Sequence, residues 1–154
     1  TTRQLDCLTK LLTKKIKKMG RVFFNTRKNI HKIDGAYTML ASDSGKTFML
    51  SATGGTVAIT LLPAANLVEG WFCKFVVDEN TPSNAITIGA GSTIIDFVMK
   101  DAGGNASNSS AGTQKTNIIV GATATKGDYI NIFCDGTSYY GEVMSAIDDA
   151  ITTT

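Results

Sequence analysis

The chain has 154 residues, which is enough for one domain with a substantial apolar core. Charged residues make up 18% of it and hydrophobic residues 43%. Much of the remainder is Gly, Ala, Ser, Thr and Asn, which favours an all-β fold of short strands and tight turns. Cys7, Cys73 and Cys134 lack CxxC or Cys/His spacing, so the sequence supports neither a disulfide framework nor a zinc site. We expect buried free thiols.

The net charge of +2 conceals an asymmetry along the chain. Residues 1–34 carry ten Lys/Arg and two acids, whereas residues 35–154 carry five Lys/Arg and eleven acids, so a basic arm (+8) precedes an acidic body (−6). This asymmetry indicates an acidic partner surface, nucleic acid or anionic lipid, without choosing among them. Because the body would repel a polyanion, we expect any contact of the arm with nucleic acid to be non-specific.

Neither a membrane span nor a signal peptide is visible in the sequence. No apolar run approaches the ~20 residues of a span. The basic arm lacks the apolar h-region and the cleavage site of a secretion signal. We therefore expect assembly in a cytoplasm.

Residues 1–19 are predicted to form an amphipathic basic helix. Thr1 and Gln4 fit a capping box, and Gly20 marks the end. Apolar residues recur at three- and four-residue steps, namely Leu5, Leu8, Leu12, Ile16 and Met19. This stripe could pack on a neighbouring chain or on the body, on an acidic partner shell, or on a membrane surface. The membrane is the weakest of these because no aromatic anchor precedes Phe23.

Residues 21–34 are predicted to be an extended arm, so residues 1–34 form one unit and residues 35–154 form the body. The arm begins with Val22, Phe23 and Phe24 and continues with a basic polar segment. His31 is the only histidine in the chain. No carboxylate or second ligand lies beside it at metal spacing, so a packed or solvent-facing imidazole is favoured over a catalytic one.

The body begins with residues that predict a β-hairpin. Two strands, at 36–41 and 46–51, flank the turn residues 42–45. Gly45-Lys46-Thr47 is similar to the end of a phosphate-binding loop. That motif requires a glycine where this chain has Leu40, so we discard a nucleotide site.

Alternating patterns predict the central strands. In residues 71–78 one face carries Trp71, Cys73, Phe75 and Val77 and is assigned to the core. The opposite face carries Phe72, Lys74, Val76 and Asp78 and is available to another sheet or subunit. Further strands are predicted at 56–61, 85–88, 92–99, 117–120 and 128–134.

The last part of the chain is predicted as a hairpin and a tail. Asp135-Gly136 is a strong two-residue hairpin signal leading to a strand at 137–142. The tail from Val143 is weakly amphipathic, and we expect its end to be frayed or held by a neighbouring chain. Residues 100–115 contain no bulky apolar side chain and are predicted to be a mobile surface loop.

No convergent catalytic set is recognisable in the sequence. Five acids fall in predicted turns, where short carboxylates bond the backbone: Asp43, Asp78, Asp101, Asp128 and Asp135. With one histidine and no ligand cluster, the sequence predicts a protein that is not an enzyme and has no cofactor and no metal.

Several strings of the body carry a family likeness. They are Y-T-x-x-x-S-D-S-G-K-T-F-x-L, G-G-T-V-A-I-T-L-x-P-A-A, G-W-F-C-K-F-V-V, I-T-I-x-A-G-S-T-I-I-D and G-D-Y-I-N-I-F-C-D-G-T-S-Y-Y. Together they span residues 36–142 and resemble the small β-sandwich decoration (cement) proteins of tailed bacteriophages. Similar strings occur in phage tail-fibre and head-fibre modules.

The resemblance implies an antiparallel, jelly-roll-like β-sandwich that assembles as a homotrimer. It implies a place on the outer surface of the virion, bridging the major capsid protein at threefold or quasi-threefold positions. The basic helix at 1–19 is not part of the pattern. We expect the arm to make the inter-subunit and capsid contacts because docking must bury its apolar stripe. The predicted contact residues are Leu5, Leu8, Leu12, Ile16, Lys14, Lys18, Arg21, Phe23, Phe24 and Arg27.

Two alternatives to a non-enzymatic capsid decoration protein stay open. One is a tail-fibre or head-fibre module that contacts a host receptor or glycan through its loops. The other is a cytoplasmic or membrane-surface binding protein that uses the basic helix. Copy number per particle separates decoration from fibre, and liposome binding by a peptide of residues 1–24 tests the membrane role.

Overall fold

The computed structural model describes residues 29–80, 82–89, 95–101 and 115–154. They form an all-β fold, as the composition predicts, and its strands make two mixed sheets. The predicted helix at 1–19 and residues 102–114 of the predicted loop lie outside the described residues. The strands are β1 (Ile30–Ile33), β2 (Tyr37–Thr38), β3 (Thr47–Leu50), β4 (Val57–Thr60), β5 (Trp71–Val77), β6 (Ile86–Gly89), β7 (Ile95–Asp101), β8 (Asn117–Val120), β9 (Tyr129–Cys134), β10 (Tyr139–Ser145) and β11 (Ile151–Thr153).

The strands are shared between a six-stranded larger sheet and a five-stranded smaller sheet. Their orders are β1-β3-β5-β9-β10-β7 and β11-β8-β6-β4-β2. From β1 to β9, successive strands alternate between the two sheets. Each strand from β1 to β4 pairs in parallel with the strand two places later. The chain therefore winds as a coil of three turns, and each turn adds one strand to each sheet.

The expected antiparallel, jelly-roll-like pairing is wrong. Antiparallel pairs occur only at β5–β9, β9–β10, β6–β8 and β8–β11 among the described strands, and the other five pairs are parallel. The hairpin predicted for residues 36–51 is also wrong, because β2 pairs with β4 while β3 pairs with β1 and β5. Turn residues reverse the chain locally, but they do not determine whether the next strand pairs with the last one or crosses to the opposite sheet.

The hairpin predicted at Asp135-Gly136 is confirmed. β9 and β10 are antiparallel neighbours, and Cys134 stands opposite Tyr139. The Asp135 carboxylate accepts hydrogen bonds of 2.8 and 2.7 Å from the N–H groups of Thr137 and Ser138. The side chain of Asp135 thus provides hydrogen-bond acceptors for two backbone N–H groups of the turn that joins the two strands.

One apolar core lies between the sheets and takes side chains from both. The predicted alternation is confirmed in β5, where Trp71, Cys73, Phe75 and Val77 are all buried. The smaller sheet contributes side chains with less than 3% of their surface exposed, namely Val57, Ile59, Ile86, Ile88, Ile118, Val120 and Ile151. Burial of each such side chain stabilises the fold by about 1.5–3 kcal/mol, so the two sheets hold each other in place.

The tail completes the smaller sheet of its own chain instead of fraying. After β10 the chain crosses to the smaller sheet, where β11 pairs with β8. The N–H of Thr154 donates to the Asn117 carbonyl (3.1 Å), and the N–H of Thr116 donates to the Thr154 carbonyl (2.8 Å). The polar threonines gave no hydrophobic signal for this strand, which is why the sequence pattern missed it.

Adjacent isoleucines on β8 provide a matched test of the two-sheet core. Ile118 is fully buried and Ile119, on the opposite face, is partly exposed. We expect Ile118→Ala to lower the free energy of unfolding by about 2–5 kcal/mol because it leaves a cavity between the sheets. Urea denaturation measures this loss, with Ile119→Ala as the control. Equal losses for the two variants would contradict the placement of the core.

Candidate functional site

The outer face of the larger sheet carries a row of aromatic side chains. Phe72 on β5 and Phe133 on β9 are cross-strand partners, and they are 55% and 52% exposed. Tyr140 on β10 stands opposite Phe133, and their rings stack with centroids 4.9 Å apart at an angle of 14°. Alternation along each strand puts these residues on the side opposite the core. We call Phe72, Phe133 and Tyr140 the aromatic row.

A groove of about 350 Å³ lies beside the aromatic row. Phe72 and Phe133 line it together with polar side chains of Lys46, Lys74 and Asn131. Exposed apolar surface with a polar rim is typical of interaction sites. The groove is therefore the candidate functional site in the described part of the chain.

The polar rim is held in place by contacts along the outer face. The Lys74 ammonium lies 4.0 Å from the centroid of the Tyr129 ring, within the range of a cation–π interaction. The Asn131 amide donates to a Glu142 carboxylate oxygen at 3.3 Å. Lys74 and Asn131 lie on β5 and β9, the two central strands of the larger sheet.

The turn before β3 forms one wall of the groove. The N–H of Gly45 donates to the Phe72 carbonyl at 2.7 Å, and Gly45 has φ +80°, in the left-handed region that favours glycine. The Ser44 hydroxyl accepts a hydrogen bond from the N–H of Phe72 at 3.4 Å. The Gly45-Lys46-Thr47 string thus serves to attach this turn to β5.

A buried carboxylate fixes the same turn from inside. Asp43 is fully buried and accepts hydrogen bonds from the Lys46 ammonium (2.6 Å), the N–H of Leu40 (2.8 Å) and the Tyr37 hydroxyl (3.1 Å). Burial alone would raise the pKa of Asp43, but these hydrogen bonds outweigh it and hold the pKa below its usual value. Burial, helped by Asp43, raises the pKa of Tyr37. Asp43 therefore places Lys46 at the rim of the groove.

The prediction that turn acids bond the backbone is confirmed for Asp43, Asp128 and Asp135. Buried Asp128 accepts backbone N–H bonds of 2.8 and 3.0 Å from two separate segments. Asp78 instead lies 3.9 Å from the Lys32 ammonium and 3.3 Å from that of Lys126. The backbone N–H bonds lower the pKa of Asp135, which is a structural effect of the hairpin turn.

The prediction of buried free thiols is confirmed for Cys73 and Cys134, whereas Cys7 lies outside the described residues. Burial raises the pKa of both thiols. Because the thiolate is the reactive form, these cysteines behave as small apolar core residues at neutral pH.

His31 lies on β1 and is exposed to solvent, as expected. Its ring also packs beside those of Tyr37 and Phe48, with centroids 5.3 and 5.8 Å away. Within the described ranges no group of three or more His, Cys, Asp or Glu could hold a metal ion.

The ten predicted contact residues, from Leu5 to Arg27, all lie outside the described residues. The structure describes the arm from Asn29, and Ile30–Ile33 form β1, the edge strand of the larger sheet. The sequence assigned Phe72 to the mixed face of its strand but did not connect it with Phe133 and Tyr140. The alternating pattern of residues 71–78 and 128–134 signals outward aromatics, and only the register of β5, β9 and β10 joins them.

Comparisons with known proteins found no matching family model, no matching curated protein and no matching solved structure. In the residues that the structure describes, no helix is long and apolar enough to cross a membrane.

Substitution of Asp43 tests the buried network that shapes the groove. We expect Asp43→Asn to lower the free energy of unfolding at pH 7 by about 3 kcal/mol, as loss of one partner in a buried ion pair does. The folded-state pKa of Asp43 lies below its unfolded value, so its contribution is fully present above the unfolded pKa and is lost as pH falls through the folded pKa. The difference between variant and wild type should therefore shrink on acidification.

Urea denaturation at a series of pH values from neutral to acidic measures this difference. Asp34→Asn is the matched control, because it makes the same change of charge at an exposed position of the β1–β2 connection. A difference for Asp43→Asn that is constant across the pH series would contradict a stabilising carboxylate.

Proposed function

We propose that the chain is a non-enzymatic structural protein of a virion. In this role it decorates and stabilises the outer surface of a bacteriophage capsid as a cement protein, and its N-terminal arm contacts neighbouring subunits. Its partners are the major capsid protein and further copies of itself, in a homotrimer. The likeness of residues 36–142 to phage decoration proteins supports this role.

The observation that carries the proposal is how the basic arm joins the body. The arm continues directly into β1, which pairs in parallel with β3 as the edge strand of the larger sheet. Backbone bonds close both ends of this pairing, from the Thr47 N–H to the Asn29 carbonyl (2.7 Å) and from the Ser51 N–H to the Ile33 carbonyl (3.0 Å). Because β1 is hydrogen-bonded into the larger sheet, a partner that binds the arm is also connected to the body.

The charge distribution supports the same role. An arm of charge +8 on a body of charge −6 is attracted to an acidic surface, including the body of a neighbouring copy. Ordering the arm costs conformational entropy, which is offset when its apolar stripe (Leu5, Leu8, Leu12 and Ile16) becomes buried on the partner. Apolar burial and charge attraction thus act together in docking.

Removing residues 1–28 while keeping β1 tests the proposal. We expect the shortened chain to keep the stability of the body, because β1 and its hydrogen bonds to β3 remain. Its occupancy on purified capsids that lack the protein should fall to a small fraction of the full chain's. Sedimentation with capsids measures occupancy, and urea denaturation measures folding.

Two full-length variants separate the forces in this contact. One replaces Leu5, Leu8, Leu12 and Ile16 with serine, and the other replaces Lys14 and Lys18 with glutamine. We expect the first to lose binding at every salt concentration and the second to lose it mainly at low salt, because added salt screens the charge attraction. Undiminished occupancy of the chain without residues 1–28 would refute the role of the arm.

Copy number separates the proposal from a fibre module. A decoration protein is present in many copies per particle, whereas a fibre protein is present in a few. Quantitative mass spectrometry of purified particles against the major capsid protein measures this ratio.

A further inference from the structure

The arm enters the described structure beside the groove. Ile30 on β1 stands next to Thr47 on β3, and Thr47 in turn stands next to Lys74 on β5. The N–H of Thr47 donates to the Asn29 carbonyl, and Thr47 is itself a lining residue of the groove. The chain before Asn29 therefore starts at the end of the larger sheet where the groove lies.

The distance from this point to the aromatic row is short. β1, β3, β5 and β9 are consecutive in the larger sheet. At about 4.8 Å between neighbouring strands, Phe72 on β5 is about 10 Å from β1 across the sheet and Phe133 on β9 about 14 Å. An extended chain spans about 3.3–3.6 Å per residue, so the five steps from Asn29 to Phe24 cover about 17 Å. Phe24 can therefore reach the groove on its own body.

The sequence supplies a suitable apolar group at this distance. Phe23 and Phe24 are the only Phe, Tyr or Trp residues in the first 34 positions, and the polar residues 25–28 separate them from Asn29. The groove offers two more phenylalanines that are each more than half exposed. Aromatic rings attract one another in offset or edge-to-face pairs with centroids 4.5–7 Å apart, so further rings can pack against the aromatic row.

We propose that Phe23 and Phe24 bind in the groove of their own chain, against Phe72 and Phe133. The short polar linker favours the chain's own body over a second copy, because its reach is sufficient and the tether raises the local concentration of the arm. This anchor does not depend on the virion role. Within that role it sets the direction in which residues 1–19 leave the body.

A photo-crosslinker in place of Phe133 tests the proposal. The full chain carries p-benzoylphenylalanine at position 133, and unlabelled chains are mixed with ¹⁵N-labelled chains before irradiation. We expect mass spectrometry to find crosslinks from position 133 to residues 21–26 in peptides of a single isotope. The same probe at Ile147 is the control, because Ile147 is 43% exposed and follows β10 at the opposite end of the sheet.

Three results would overturn the anchor. Crosslinks that join the two isotopes would assign the groove to the arm of a second copy. An absence of crosslinks to residues 1–28 would mean that the arm does not occupy the groove. Binding on a glycan array that is lost in Phe133→Ala, without crosslinks to the arm, would assign the groove to a saccharide.

Limited trypsin digestion gives a second measurement that uses natural cleavage sites. Arg27 and Lys28 lie in the linker, so docking of Phe23 and Phe24 restrains the chain around them. We expect Phe133→Ala to speed cleavage there about tenfold, as local opening exposes a site, while Ile147→Ala leaves the rate unchanged. Equal rates in both variants would contradict the anchor. Capsid occupancy is measured separately, so failure of the anchor is distinguishable from failure of the virion role.

Discussion

The whole structure depends on one constraint, which is that both sheets bury their apolar faces in a single core. Because successive strands from β1 to β9 alternate between sheets, the chain crosses repeatedly from one layer to the other. Polar backbone groups at each crossing must find partners. Asp43 supplies them between β2 and β3, and Asp128 between β8 and β9. At buried Ala52 the N–H donates to the Glu79 carboxylate and the carbonyl accepts from the Asn84 amide.

The positions of the central strands could be predicted because they depend on local alternation, as the buried face of β5 shows, whereas β1 and β11 were missed. The strand with which each of them pairs could not be predicted from the sequence. The short connection that begins at Asp135-Gly136 leaves room only for a hairpin between β9 and β10, and that pairing was predicted correctly. The connection between β2 and β3 is longer, so it can cross to the opposite sheet. Buried Asp43 fixes its conformation through hydrogen bonds with residues that lie three to six positions away in the chain. Sequence patterns show that a turn is polar, but not that its carboxylate is buried.

The sequence could predict which side chains of each strand face outward, but not that the outward side chains of different strands form one site. Alternation places Phe72 on the outer side of β5. The groove exists because the register of three strands brings Phe72, Phe133 and Tyr140 into one row, although Phe72 and Phe133 are more than 60 residues apart in the chain. Register is a non-local property, set by how both sheets meet over the core. The same register places the groove beside the start of β1, which links the site to the arm.

The first turn of the coil disfavours edge-to-edge pairing of the sheets with another chain. β1 and β2 are the edge strands of the two sheets at one end of the coil, and edge strands are where a sheet pairs with another chain. Here β2 has two residues and β1 has four, with an exposed lysine at Lys32, and short or charged edges resist such pairing.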